Sequence, residues 1–229
     1  MNPVPWLNNP VFGIAVTLLA YTAALAFRKR WRWIHPLVVS SAALMLLLWA
    51  GHIPIGYYQS GGDLLSACLG PVTVALAVPL YKNAGKIRDA LFPVLAGITA
   101  GSVVSAVSTA LLLSVTGSPD EIVRSMLSKS VSAPIAMEIA KRAGGIPELS
   151  ASFSVLTGLL GSVAGPAFLR LFGIRGDIPL GTAMGTSSHG IGTARMIAES
   201  DTLGGISGFS MAATGIVTSV LMIPVYWFL

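Results

Sequence analysis

Gly185-Thr186-Ser187-Ser188-His189-Gly190-Ile191-Gly192-Thr193-Ala194 stands inside a run, 178–194, that holds no Asp, Glu, Lys or Arg. Three glycines and four hydroxyl residues in ten positions do not make a plain lipid-facing helix. Working outward, six further runs are free of those charges: 1–27, 33–62, 64–81, 90–119, 149–169 and 202–229. A spanning helix needs about 20 mostly apolar residues, with a range of roughly 17–25. Every run reaches that length or nearly so. A soluble core helix would show charge on one face every turn or two. The pattern predicts an all-α polytopic membrane protein with about seven or eight transmembrane segments, some of them discontinuous.

Composition agrees. Hydrophobic residues make up 54% and charged residues 10%, against roughly 25% charged in a soluble domain. Lipid must be the solvent for much of the chain. The excess of 14 Lys and Arg over 9 Asp and Glu reports loop orientation. No basic patch is interleaved with stacking aromatics, so no nucleic-acid partner is expected. The single cysteine, Cys68, excludes an internal disulfide framework and leaves no metal-ligand cluster. Neither a metal nor a cofactor is expected. No nucleophile elbow, phosphate loop or metal-ligand spacing occurs, so no catalytic residue is assigned and the chain reads as a non-enzyme.

The N-terminal apolar run has no basic residue before it, and Arg28-Lys29-Arg30 follows it. That order reads as a first spanning helix over 10–27, ending in the cytoplasm, with the N-terminus outside. A second helix is expected over 34–50. A two-part pattern then recurs: an interrupted segment (62–84, 120–142, 178–199) followed by an intact apolar helix (90–115, 148–172, 203–228). The stretch 72–85 aligns with 131–144 at an offset of 59. Gly101-Ser102-Val103 recurs as Gly161-Ser162-Val163, and Ser188 to Ala198 faintly echoes Ser130 to Ala140. Interrupted segments in repeated halves point to a transporter's binding site. The whole chain, 1–229, reads as one membrane domain, with a two-helix scaffold part over 1–60 and a repeated transport part over 61–229. The positive-inside rule puts 28–32, 82–88 and 141–142 in the cytoplasm. Arg170 and Arg175 then fall on the wrong side, unless an interrupted segment is a re-entrant hairpin.

Pro134 removes a backbone donor and disfavours helix at Ala133. A helix break is therefore expected over 129–134, a second over 186–192, and a third at Gly70, Pro71 and Thr73. Lys129, beside the first break, is a functional candidate by virtue of its depth; snorkelling or pairing with Glu138 is the alternative. Glu138 can balance Lys129, carry a proton, or sit at the cytoplasmic end beside Lys141 and Arg142 and do neither. Ser187 or Ser188 can cap a half-helix whose free N–H groups suit an anion. His189 can titrate near neutral pH. Close packing of small residues is the alternative for this stretch. His35 and His52 read as interfacial. The expected binding groups are Lys129, Ser130, Ser132, Pro134, Thr186, Ser187, Ser188, His189, Gly190, Gly192 and Thr193, with Glu138 and His189 as coupling or charge-balancing groups.

The stretch Lys129 to Ala136, the following Gly144-Gly145-Ile146-Pro147, and 185–194 resemble the LrgB/CidB family. That resemblance implies a multi-pass protein of the bacterial cytoplasmic (inner) membrane. Bacterial members are described as holin/antiholin-like controllers of murein hydrolase activity and lysis. Others, among them the plastid glycolate/glycerate transporter, are described as carriers of small monocarboxylates, pyruvate included. The resemblance also implies a small LrgA/CidA-type membrane partner, and a homo-oligomer is open. Of these readings, paired interrupted segments bearing Lys129 and His189 favour alternating-access transport of a small carboxylate.

Overall fold

The computed structural model describes residues 9–30, 36–68, 71, 74–75 and 77–228. These residues are helices joined by short turns, the all-α architecture expected from the uncharged runs. They divide into two compact units, Met1–Ala75 and Leu76–Leu229. Gly70, Thr73 and His35 lie outside the described residues, so the expected break there goes undescribed.

The first unit holds α1 (Pro10–Arg30), α2 (Pro36–Ala50) and α3 (Ile55–Ala67). α1 packs against both others. It approaches α3 where two glycines face each other: a Cβ on Gly13 would lie 3.0 Å from Gly61 Cα. Thr17 Oγ1 and Tyr58 OH share a 3.0 Å hydrogen bond alongside. Apolar side chains such as Trp49, 77% exposed, cover the outside. This is the arrangement lipid favours, since association in a bilayer rests on close packing of small residues and not on apolar burial.

The second unit runs α4 (Ala77–Lys82), α5 (Ala84–Asp89), α6 (Leu91–Val115), α7 (Asp120–Met126), α8 (Ala133–Ala143), α9 (Pro147–Leu171), α10 (Asp177–Glu199) and α11 (Asp201–Phe228). The expected intact helices are α6, α9 and α11, and these three, with α1, are long and apolar enough to cross a bilayer.

Of the three interrupted segments, 120–142 and 178–199 fold back on themselves. In a straight helix Arg124 and Ala143 would be about 28 Å apart, at 1.5 Å per residue. Instead Arg124 Nη1 donates to Ala143 O at 3.3 Å, and Ile146 N donates to Ser125 Oγ at 2.7 Å. Between them the chain leaves the helix over 127–132 and restarts at Ala133, with Ser132 extended (φ −61, ψ 147) and Pro134 in the first turn. A proline is tolerated there because its missing N–H would have no intrahelical partner. Gly144 at φ +73 ends the return arm, a conformation with no Cβ penalty for glycine.

α10 reverses in the same way at one residue, His189 (φ 38, ψ −131). The first turns of α11 touch both arms. A Cβ on Gly181 would lie 3.0 Å from Ile206 Cβ and 3.2 Å from Leu203 O, and one on Gly204 would lie 2.9 Å from Ile197 Cα. Leu180, Met184, Met196 and Leu203 accordingly form one core cluster. Straight, Leu180 and Met196 would stand about 24 Å apart.

The two hairpins enter from opposite ends. Lys82 pairs with Asp201 at 3.9 Å, Lys86 Nζ donates to Thr202 Oγ1 at 3.0 Å, and Arg170 pairs with Glu199 at 2.7 Å. The start of α6, the end of α9, both feet of hairpin α10 and the start of α11 therefore share a first end. The end of α6, the α7–α8 hairpin and the start of α9 share the second. Two corrections follow. Residues 82–88 and 141–142, expected on one side, lie at opposite ends, because the segment between α6 and α9 turns back. Arg170 and Arg175 lie with 82–88 for the same reason: α6 and α9 run in opposite directions with the turned-back α7–α8 segment between them. Gly101-Ser102-Val103 and Gly161-Ser162-Val163 sit on helices of opposite direction, each followed by a hairpin, which is an inverted repeat.

This topology is checked by thiol labelling. In a Cys68→Ser background, cysteines replacing Asp177 and Ser200 should react with an impermeant reagent from one side of the membrane. Those replacing Gly117 and Lys141 should react from the other. Labelling of Asp177 and Ser200 positions from opposite sides would mean that α10 crosses.

Candidate functional site

A cavity of about 710 Å³ lies between α6, α9 and the first arm of α10. On α6 its wall runs from Pro93 at the first end to Ser105, about 18 Å along the helix axis. Phe168, Ile178 and Pro179 flank the first-end mouth, and Lys129 and Ser130, from the tip of the opposite hairpin, form the floor. Gly97 and Gly101 admit the methyls of Thr182 and Thr186: a Cβ on Gly101 would lie 3.1 Å from Thr186 Cγ2. The hydroxyls of Thr182 and Thr186 are buried with no partner among the described residues. The lining is otherwise mostly apolar.

Lys129 is the one charged residue among those lining the cavity. Its Nζ donates to Ser105 Oγ at 3.3 Å, and Ser105 Oγ shares a 2.6 Å hydrogen bond with Ser130 Oγ. No carboxylate among the described residues lies within ion-pairing distance of Lys129. The pairing with Glu138 is not made. Glu138 instead accepts from Arg142 Nε at 2.8 Å, one helical turn on, at the second end. Glu138 thus stands with Arg142 near the end of α8, away from Lys129.

Thr186 and Ser187 line the cavity with Lys129 and Ser130. Ser132 stands before α8, and Pro134 lines a separate groove with Glu138, Arg142 and Tyr226. Ser188, His189, Gly192 and Thr193 are buried behind the cavity wall, and Gly190 is half-buried. Ser187 Oγ turns back to Ala183 O at 2.8 Å and meets Ser188 Oγ at 3.1 Å. These serines thus close on their own arm instead of capping the next. Thr193 Oγ1 bonds Ser207 Oγ at 2.9 Å.

His189 faces α9. Its Nε2 lies 2.8 Å from Ser154 O and 3.3 Å from Ser154 Oγ. A carbonyl can only accept, so Nε2 carries the proton. Ser154 Oγ donates in turn to Val131 O, in the tip of the other hairpin. The two described breaks therefore meet across one serine.

Ser105 and Ser154 escaped the sequence reading because they sit in helices that look uninterrupted. A signal was present. The buried residues of α9 are Ser150, Ser154, Gly158, Ser162 and Pro166, every fourth position. Such spacing draws one stripe along a helix.

The description "LrgB-like family" belongs to a family model that matches residues 17–228. An uncharacterized protein, YwbG, of Bacillus subtilis (strain 168) is 35% identical over 91% of this chain and 93% of its own length. An uncharacterized protein of Haemophilus influenzae is 33% identical, covering 90% of each chain. The protein named "Antiholin-like protein LrgB" in Bacillus mycoides (strain KBAB4) is 30% identical over 95% of this chain and 96% of its own. No solved structure matches.

The packing around His189 gives a direct test. A methyl on Gly158 would meet His189 Cε1 at 2.6 Å, whereas one on Gly190 finds only Met211 Sδ at 3.8 Å. Overpacking costs about 1–3 kcal/mol. Gly158→Ala should therefore lower the thermal midpoint of detergent-purified protein clearly, and Gly190→Ala should leave it nearly unchanged.

Proposed function

The chain belongs to the LrgB family, and on that premise we propose that it is a membrane carrier of small monocarboxylate anions. The observation that carries this reading is the Lys129 cation, set without a carboxylate partner among the described residues at the floor of a mostly apolar cavity. A Lys at the centre of a bilayer costs about 2.5–3.5 kcal/mol on insertion scales, and an anionic occupant offsets that cost. Ser105 and Ser130 supply hydroxyls beside the ammonium. A single cation suits one carboxylate better than two. In this reading the binding groups are Lys129, Ser130, Thr186 and Ser187, with His189 and Ser132 supporting them from behind.

The first end carries Lys82, Lys86, Arg88, Arg170, Arg175 and Arg195, and the second Arg124, Lys141 and Arg142. The positive-inside rule then puts the first end, and the cavity mouth, in the cytoplasm. Arg28-Lys29-Arg30 at the end of α1 agrees with an N-terminus outside a bacterial inner membrane.

A second reading has its own support. Relatives such as the Bacillus mycoides protein are named antiholin-like, a name that supports a holin/antiholin-like role over carboxylate transport; in that reading the chain would regulate murein hydrolase activity and lysis. An LrgA/CidA-type membrane partner would belong to that reading as well.

Uptake by reconstituted protein separates the two. Labelled monocarboxylates should enter proteoliposomes saturably, compete with one another, and leave an entrapped dye inside. Lys129→Met should weaken apparent affinity about tenfold to a hundredfold, since hydrogen bonds to charged groups contribute about 1.5–3 kcal/mol. Because Glu138 pairs with Arg142, adding Glu138→Gln should not rescue it. Non-selective dye release, or unchanged affinity in Lys129→Met, would sink the carrier reading.

A further inference from the structure

Each hairpin tip contains backbone groups that a continuous helix would have paired. Such groups must find partners within the protein or in a water-filled cavity. On the first tip, Val131 is 1% exposed and its carbonyl accepts from Ser154 Oγ. On the second, His189 is 4% exposed and holds a backbone angle, φ 38, that an L-residue rarely adopts. Its ring reaches Ser154 O at 2.8 Å and Ser154 Oγ at 3.3 Å. Ser154 itself is fully buried on α9.

The chemistry of this residue fits both contacts at once. A hydroxyl has one proton to donate and two lone pairs to accept with. Its proton goes to Val131 O, so toward His189 it can only accept, and the imidazole Nε2–H donates. The Ser154 carbonyl also has two lone pairs, and four residues on stands Gly158, whose missing side chain leaves room for the imidazole. Alanine at 154 would keep the carbonyl bond and lose both hydroxyl contacts.

We propose that Ser154 is a positioning residue that couples the two opposed hairpin tips, so that the cavity floor at Lys129–Ser130 and the reversal at His189 hold or shift together. Lys129 and Ser130 immediately precede Val131, so an anchor on the Val131 carbonyl also sets where the ammonium points. Ser154 is not among the residues that line the cavity. It acts through the tips. The consequence for uptake rests on the carrier reading, whereas the coupling itself does not.

The experiment therefore has two arms on protein in lipid nanodiscs or proteoliposomes: wild type, Ser154→Ala, His189→Gly and the double variant. Glycine adopts φ 38 freely, so His189→Gly removes the ring without opposing the reversal. In the first arm, backbone hydrogen exchange is read by mass spectrometry. Ser154→Ala should speed exchange about three- to tenfold at both tips, 128–132 and 187–192, in line with a net hydrogen-bond contribution near 1 kcal/mol. His189→Gly should loosen 128–132 as well, and the double variant should add little to either single one. In the second arm, Ser154→Ala should raise KM for uptake about three- to tenfold with a smaller change in maximal rate. Faster exchange at 128–132 alone, or additive effects in the double variant, would overturn the coupling. Absence of saturable uptake in wild type would overturn the carrier reading and leave the exchange arm to decide the coupling.

Discussion

Backbone that stops being helical at membrane depth must find partners for its freed N–H and C=O groups, and the second unit is arranged around this constraint. Both described breaks turn against α9. That helix can serve them because its inward stripe is Ser150, Ser154, Gly158, Ser162 and Pro166. Small residues let the tips come close, and hydroxyls give them something to bond. Ser150 Oγ donates to Ala136 O at 3.0 Å and Ser154 Oγ to Val131 O, both on the first hairpin. On the other hairpin, a Cβ on Gly158 would lie 2.6 Å from His189 Cε1, and beside the stripe one on Gly161 would overlap Ser188 Oγ. Larger residues on this stripe would push both hairpins away and strand their backbone groups.

The same arrangement gives the cavity its polarity. Access from the first end follows the wall of α6 down to Lys129. Beyond the floor, Leu127, Val131, Ala136, Ile139 and Met222 pack into one buried cluster on the second-end side. A cavity open on one side and closed by a packed cluster on the other suits the proposed carrier reading. A hole needs no such asymmetry. The wall opposite α6 is the first arm of α10, which touches α6 through the Thr182 and Thr186 methyls at Gly97 and Gly101. Small residues at that contact let the two helices approach closely.

Much of this was legible in the sequence, and the limits have physical causes. Charge-free runs located α6, α9 and α11 within a few residues, since lipid imposes length and composition on whatever crosses it. Pro134 located the first break because ring geometry is local. Gly185 to Gly192 located the second, although the reversal falls on His189 and not on a glycine. What could not be read was direction. A re-entrant hairpin and a crossing segment have the same composition, so composition assigns residues 82–88 and 141–142 to one side although they lie at opposite ends. Arg170 and Arg175 already carried that information as violations of the charge rule. Ser105 and Ser154 were missed for a different reason: a hydroxyl inside an apolar helix can satisfy itself on its own backbone, as Thr109 Oγ1 does on Ser105 O at 2.7 Å. Only the fold shows which hydroxyls reach another helix.

The faint echo of Ser130–Ala140 in Ser188–Ala198 gains meaning from the inverted arrangement. In that register His189 corresponds to Val131, and these are the residues that meet Ser154 from opposite ends. Their solutions differ. The first tip opens over several residues and offers a carbonyl, while the second reverses sharply and offers a ring N–H. An acceptor from one side and a donor from the other can share a single serine, where two identical tips would compete for it. The sharper reversal carries backbone strain of order 1–3 kcal/mol for a non-glycine residue, and the imidazole bond to Ser154 offsets part of it. Divergence between the two repeats at this position is therefore what lets both hairpins rest on the same turn of α9, with Lys129 directed into the cavity.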